Sequence, residues 1–99
     1  MKVTKIVNDD NITLQVSERV DTTTAPQLQY EIDKVTDETN KLVLDFKELI
    51  YVSSAGLRVL LSAHKTMLKK EGSLVITNVS EDILEIFEVT GFSDILTIE

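Results

Sequence analysis

The 99-residue sequence contains no cysteine, no tryptophan, one histidine and one proline. Without cysteine there can be no disulfide framework, no thiolate metal site and no cysteine nucleophile. One histidine argues against a histidine-based metal site, and no pattern calls for a cofactor. No apolar run approaches the ~18 residues of a membrane span, and the N-terminus lacks the apolar core of a signal peptide. We therefore expect a soluble cytoplasmic protein without a metal ion.

The charge balance is acidic, with 17 Asp and Glu residues against 10 Lys and Arg residues and a net charge of −7. Such a surface repels nucleic acid phosphates and anionic lipids, so we expect neither nucleic acid nor a membrane as a partner. The content of 42% hydrophobic and 27% charged residues is ordinary for a globular chain. We expect one domain over residues 1–99.

Hydrophobic periodicity predicts an α/β fold. Alternating residues over 2–7 and 12–17, joined by a polar turn at 8–11, predict an N-terminal β-hairpin. Further strands are expected at 41–46 and 73–78, with a short apolar run at 49–52 and a closing segment at 92–98. Helices are expected at 25–38, 55–71 and 81–90. This order implies a mixed sheet of about four to five strands with helices packed on it. The runs at 42–44 and 74–76 are apolar throughout, which predicts strands covered on both faces.

Local signals mark the helix ends. Thr24 and Gln27 have the spacing of a capping box at the first helix, Ser80 is the expected cap of the last helix, and Gly91 its end. The apolar faces are expected to be Leu28, Ile32 and Val35 in the first helix, Leu57, Leu60, Leu61, His64 and Leu68 in the second, and Ile83, Leu84, Ile86, Phe87 and Val89 in the third.

A serine pair, Ser53 and Ser54, precedes the central helix. Backbone N–H groups at a helix start have no partner within the helix, and the peptide dipoles favour negative charge there. A serine at this point can cap the helix, act as a nucleophile or carry a phosphate. A cap is worth ~1 kcal/mol. A phosphate adds nearly two negative charges at a place that tolerates them.

The nucleophile interpretation is the weakest of the three. Ser54-Ala55-Gly56 matches the second half of the G-x-S-x-G elbow, but Val52 stands where the first glycine is needed. The one candidate base, His64, lies ten residues along the same helix, ~15 Å away at 1.5 Å per residue. We therefore expect a protein that is not an enzyme.

The segment from Val43 to Leu61, VLDFKELIYVSSAGLRVLL, resembles the STAS domains of bacterial anti-sigma-factor antagonists. Those domains carry Asp-Ser-Ser/Thr-Gly-Leu at the start of the central helix. Residues 20–28, with Val20-Asp21 and Thr24-Ala25, are similar to the family's approach to its first helix, and residues 86–92 to its last helix and closing glycine. The chain departs from the family in having Ser53 for the motif's aspartate, Ala55 for its second hydroxyl residue and Glu18 for a glycine.

The resemblance implies partner switching. By the family's motif the phosphorylated position falls on Ser54, with Ser53 as the alternative. The unphosphorylated antagonist is expected to bind an anti-sigma factor that is also a serine-protein kinase, and a PP2C-type phosphatase is expected to reset it. The expected contact residues lie in the first-helix loop and at the start of the central helix: Asp21, Thr23, Ser53, Ser54, Ala55, Gly56 and Arg58.

Two other functions remain open on the residues alone. The replacement of the motif's aspartate by Ser53 favours a STAS-like scaffold that binds a partner without phosphorylation. A small-ligand or nucleotide binder could use the loops around Asp21 and Ser54, although the chain has no G-x-x-x-x-G-K-[ST] phosphate loop.

Overall fold

The computed structural model describes residues 1–99 and contains six strands and three α-helices. The strands are β1 (Lys2–Val7), β2 (Ile12–Val20), β3 (Lys41–Asp45), β4 (Leu49–Val52), β5 (Ser73–Thr77) and β6 (Thr97–Ile98). The helices are α1 (Ala25–Val35), α2 (Ser54–Lys69) and α3 (Glu81–Thr90), and a 3-10 turn follows at Phe92–Asp94. The predicted α/β class and N-terminal hairpin are confirmed, and the sheet gains a strand because the run at 49–52 pairs as β4.

The sheet places all three helices on one face. β1 runs antiparallel to β2, whereas β3, β5 and β6 follow in parallel, in the order β1-β2-β3-β5-β6. Each helix crosses over to a strand further along in the same direction, and right-handed crossovers in one direction lie on one side of a sheet. The core forms between that face and the helices, where Leu14, Leu44 and Ile76 are fully shielded from solvent.

The opposite face of the sheet has no helix, so the prediction that the strands would be covered on both sides is wrong. Thr13, Val43 and Val75 share this face across the register of β2, β3 and β5. Val43 is half-buried and Val75 is buried.

The helix ends differ by a few residues from the prediction. The first helix ends at Val35, and 36–38 form a turn. Two acidic residues, Asp37 and Glu38, follow that end, where the helix dipole disfavours negative charge. The ammonium of Lys70 instead donates to the carbonyl oxygens of Thr36 and Thr39.

Two apolar side chains expected in the core lie at the surface. Leu68 of α2 is 58% exposed and Val89 of α3 is 80% exposed. The buried face of α2 instead runs through Gly56, Leu57, Val59, Leu60, Ala63 and Met67. This buried face includes the small residues Gly56 and Ala63, which contribute little to a hydrophobic pattern in the sequence.

An irregularity in β2 lets its last three residues pair with a different strand. Pairing with β4 begins at Glu18, opposite Leu49, and the register then shifts so that Arg19 lies opposite Tyr51, which leaves Ile50 as an extra residue in β4. Glu18 adopts a φ of 70° there, in the left-handed region that glycine adopts most readily. A bulge bends and twists the strand that carries the extra residue, here β4, and so accommodates its pairing with the end of β2.

Gly56 sets the distance between α2 and the sheet. A Cβ atom added to it would lie 2.7 Å from Val52 Cγ2 and 2.8 Å from Val20 Cγ1. Both valines are buried at the ends of their strands. The first turn of α2 can therefore lie against β2 and β4 only because residue 56 has no side chain.

We predict that Gly56→Ala destabilises the fold by ~1–3 kcal/mol, the usual cost of overpacking a core. The sign is diagnostic, because alanine in place of glycine favours an unconstrained helix by ~1 kcal/mol. Chemical denaturation measures the free energy of unfolding. Ser62→Ala, at an exposed position of the same helix, is the control and should change it by no more than ~0.5 kcal/mol. A Gly56→Ala protein at least as stable as the parent would contradict the close approach.

Candidate functional site

The candidate site lies where β2 and β4 end side by side. The two strands are parallel, with Val20 opposite Val52, so the segments that leave them emerge at the same edge. The N–H of Ser53 donates to the carbonyl oxygen of Val20 at 2.8 Å. This bond joins the loop before α1 to the first residues of α2.

Ser53 is the N-cap of α2. Its backbone is extended, with φ −90° and ψ 176°, and its Oγ accepts a hydrogen bond from the N–H of Gly56 at 3.3 Å. Its carbonyl oxygen accepts from the N–H of Leu57 at 2.9 Å. Aspartate and serine are about equally good N-caps, so Ser53 performs the same structural task that an aspartate would perform here.

Ser54 is the first residue of α2, and it is exposed. Its hydroxyl group makes no hydrogen bond within the chain, in contrast to that of Ser53. The N–H groups of Ser54 and Ala55 also have no partner in the chain, as expected for the first turn of a helix. The site thus presents a free hydroxyl beside two free donors at the positive end of the helix dipole.

The loop between β2 and α1 is organised by Asp21. Its Oδ1 accepts hydrogen bonds from the N–H and hydroxyl of Thr23, at 3.0 and 2.7 Å, and from the N–H of Thr24 at 3.1 Å. The predicted capping box is wrong, because the Thr24 hydroxyl turns back to donate to the carbonyl oxygen of Arg19 at 3.0 Å. The N–H of Gln27, which the threonine hydroxyl was expected to satisfy, donates instead to the carbonyl oxygen of Thr24 at 3.0 Å.

These hydrogen bonds change the acidity of Asp21. The Thr23 hydroxyl contributes most, followed by the N–H of Thr24, and together they lower the pKa of Asp21 from 3.8 to about 2. The carboxylate is therefore ionised at any physiological pH. It places one fixed negative charge in the loop beside the start of α2.

Arg19 and Tyr51 extend the site onto the strands, and neither was identified from the sequence. The Arg19 guanidinium lies 4.6 Å from the centre of the Tyr51 ring, and its Nε is 3.7 Å from Asp21 Oδ2. A cation over an aromatic ring at an exposed site is worth ~0.5–1 kcal/mol. The signal for this pair is the register of β2 against β4, in which Arg19 lies opposite Tyr51 because Ile50 is an extra residue in β4.

The structure brings most of the sequence-predicted site residues to one edge and sets one apart. Asp21 and Thr23 lie in the loop, and Ser53, Ser54 and Ala55 lie at the beginning of α2, with exposed Arg58 one turn further on. Gly56 is buried. Gly56 faces the two strands, and its contact with a partner stays a prediction.

The surroundings of Ser54 do not support the nucleophile interpretation. Ser54 and His64 belong to one continuous helix, which separates them by ~15 Å along its axis. No depression of the surface includes either Ser53 or Ser54. Small ligands usually bind in a cleft that buries most of their surface, and neither serine lines one. No helix has the length and apolar character needed to cross a bilayer.

Comparison with known proteins gives consistent similarities over the whole chain. The family model of the STAS domain matches residues 2–99. The chain is 30% identical over 91 residues to the anti-sigma-B factor antagonist of Bacillus subtilis, covering 92% of this chain and 84% of that protein. It is 32% identical over 91 residues to the antagonist of the same name from Listeria monocytogenes, covering 91% of this chain and 80% of that protein.

Solved structures with the same fold are more distant in sequence. An anti-sigma factor antagonist from Mycobacterium paratuberculosis superposes with a TM-score of 0.88 at 22% identity, over 98% of this chain and 83% of that one. The antagonist SpoIIAA superposes at 14% identity in both its unphosphorylated form, with a TM-score of 0.77 over 99% of this chain and 87% of that one, and its phosphorylated form, with a TM-score of 0.75 over 99% and 91%.

The geometry of the loop predicts how Asp21 titrates. We expect Thr23→Ala to raise the pKa of Asp21 from about 2 toward 3.8, because the largest single cause of its lowering is removed. NMR titration of the side-chain carboxyl carbon measures this directly. Thr22→Ala is the control, since Thr22 makes no hydrogen bond to Asp21.

The same titration has a consequence for stability. The folded-state pKa is the lower one, so the contribution of Asp21 to stability is present above pH 3.8 and is lost as the pH falls toward 2. The Thr23→Ala protein should lose less stability than the parent across that interval. An unchanged Asp21 titration in Thr23→Ala would show that the hydroxyl does not hold the carboxylate.

Proposed function

The chain belongs to the STAS domain family of anti-sigma factor antagonists, which are regulators and not enzymes, and we propose that it works by partner switching. In its unmodified form it binds an anti-sigma factor through the surface around Ser54. That anti-sigma factor is also the serine-protein kinase that phosphorylates Ser54, and phosphorylation ends the complex. A PP2C-type phosphatase removes the phosphate and restores the form that binds the anti-sigma factor. All of these steps take place in the cytoplasm.

The observation that carries this proposal is the difference between the two serines. The hydroxyl of Ser53 is committed to the cap, whereas the hydroxyl of exposed Ser54 has no hydrogen bond within the chain. A kinase needs an accessible oxygen whose loss does not unravel the structure. Ser54 meets both requirements, and Ser53, the alternative acceptor, would lose its cap on modification.

The contact surface we propose comprises the exposed residues of the site. Asp21 and Thr23 form one side of it, Ser53 to Ala55 the middle, and Arg58 the other side. Gly56 contributes indirectly, because it holds this turn of α2 against β2 and β4. Its replacement would displace the contact residues without being part of the contact.

The switch works through hydration. A phosphoserine carries about −1.5 to −2 charges at neutral pH. At an exposed helix N-terminus each charge gains only ~0.3–1 kcal/mol, so the fold itself changes little. In a close interface the same group loses hydration worth several kcal/mol unless it finds cationic partners. Since ~1.4 kcal/mol is a tenfold change in affinity, one phosphate is sufficient to separate the complex.

The second candidate is a STAS scaffold that binds its partner without phosphorylation. Its support is Ser53, which lacks the charge of the aspartate found before the phosphorylated serine in the family motif. The cap geometry weighs against it, because serine preserves the start of α2 and leaves the next hydroxyl free. The two candidates differ in whether a kinase modifies the chain.

We expect incubation with the partner kinase and ATP to add one phosphoryl group, seen by intact-mass spectrometry. Ser54→Ala should abolish the addition. Ser53→Asp is the matched control, since it keeps an N-cap and restores the family's residue, and it should be modified at least as fast as the parent. A complex that forms while no phosphate is added would favour the scaffold.

We expect Ser54→Asp to weaken binding to the anti-sigma factor by about tenfold to a hundredfold, which corresponds to ~1.4–2.7 kcal/mol. Calorimetry or surface plasmon resonance measures the dissociation constant. Ser54→Asn has nearly the same shape without the charge and should bind within a few-fold of the parent, as should Ser54→Ala. Equal binding by Ser54→Asp and Ser54→Asn would remove Ser54 from the contact surface.

A further inference from the structure

The central helix carries charges of one sign only. Its sixteen residues, Ser54–Lys69, include Arg58, Lys65 and Lys69 and no aspartate or glutamate. The helix thus contributes +3 to a chain whose net charge is −7, which leaves −10 on the remaining residues. Charge is therefore strongly segregated, with a basic helix in an acidic protein.

The three cations lie along one face, directly opposite the core. At 100° per residue, Ser54, Arg58, Ser62, Lys65 and Lys69 fall within an arc of about 80°. All five are exposed. The buried residues of α2 lie on the opposite side of the helix. From Ser54 to Lys69 the face extends ~22 Å at 1.5 Å per residue, and we call it the α2 basic face.

No carboxylate of the chain neutralises the α2 basic face. Elsewhere Lys5, Arg19 and Lys34 each lie within 4.0 Å of an acidic side chain. Neither Arg58 nor Lys65 nor Lys69 has such a partner. An apolar border accompanies the face, since half-buried Leu61 and the 58% exposed Leu68 lie along one side of it.

We propose that the α2 basic face is a docking surface for an acidic face of the partner protein. Three unpaired cations in line, bordered by exposed leucine, complement a row of carboxylates with an apolar margin. A polyanion such as nucleic acid or an anionic bilayer covers a large area, and it would be repelled by the −10 charge of the remaining residues. A protein surface of limited size meets the helix alone, because charges more than ~8 Å away are largely screened at physiological salt.

Ser54 belongs to the same face, which connects docking to the switch. A phosphoryl group on Ser54 would lie one turn from Arg58 and bring about −1.5 to −2 charges to a face of +3. The net charge of the face would fall to about +1 or slightly above. Phosphorylation would thus weaken the docking of an acidic partner along the helix in addition to obstructing contact at Ser54.

This inference rests on the proposed function for the identity of the partner, but it is tested at different residues. Lys65→Glu/Lys69→Glu reverses the charge of the α2 basic face without touching Ser54 or its loop. Lys41→Glu/Lys47→Glu is the matched control, because it makes the same change of net charge at two exposed lysines outside α2. Lys65→Gln/Lys69→Gln removes the charge with a side chain that suits a helix, and circular dichroism verifies that each variant is folded.

We expect the Glu pair to bind the anti-sigma factor at least tenfold more weakly than the parent, the Gln pair to lie in between, and the control pair to change binding less than threefold. The salt dependence of the dissociation constant should become shallower in the Glu and Gln pairs only. Changing acidic residues of the partner's contact surface to lysine should restore binding by the Glu pair.

Two results would overturn the proposal. In the first, the Glu pair binds the anti-sigma factor with the same affinity as the parent. In the second, the control pair weakens binding as much as the Glu pair does, which would show that only the net charge of the protein matters. If Ser54→Asp still weakens binding in either case, the proposed function stands without the docking surface. A third result would also overturn it: the parent binds duplex DNA or anionic vesicles, the Glu pair does not, and both bind the anti-sigma factor equally well.

Discussion

The close approach of α2 to the ends of β2 and β4 determines the candidate site. Gly56 permits the approach, because a side chain would collide with Val20 and Val52. The bond from the Ser53 N–H to the Val20 carbonyl oxygen fixes where the helix begins. With the start of the helix fixed on both strands, the next residue is necessarily the first of the helix and points to solvent. The exposure of Ser54 is thus a consequence of packing beneath it.

The same junction explains how the loop and the helix become one surface. β4 is a strand of four residues that pairs only with the end of β2. It exists as a strand because β2 bends at Glu18, where φ is 70°. Without that bend Arg19 would not reach Tyr51, and the Asp21 loop would not emerge beside Ser53. A strained residue in one strand therefore positions a site assembled from three segments.

The sequence was sufficient for the fold class, the hairpin, the cap at Ser80 and the position of the serine pair at the start of the central helix, because each depends on local pattern or local hydrogen bonding. It was insufficient where the outcome depends on distant neighbours. Leu68 fits an apolar helical pattern yet faces solvent, because Gly56 and Ala63 allow the adjacent face to pack more closely. The contact of Arg19 with Tyr51 depends on a strand register, and the Thr24 hydroxyl donates to the carbonyl oxygen of Arg19 instead of capping the first helix.

The way α2 is held also bears on how a phosphate could act. Six residues of the helix are buried, and the N–H of its N-cap, Ser53, donates to the carbonyl oxygen of Val20 in β2. The gain of ~0.3–1 kcal/mol per charge at its N-terminus is too small to move an element anchored in this way. The unmodified and phosphorylated chains should therefore share one fold, and the difference between them should lie in the charge of the surface. Such a regulator needs no second conformation. Its two states differ in the free energy of binding, because a partner that covers the phosphate must remove its hydration.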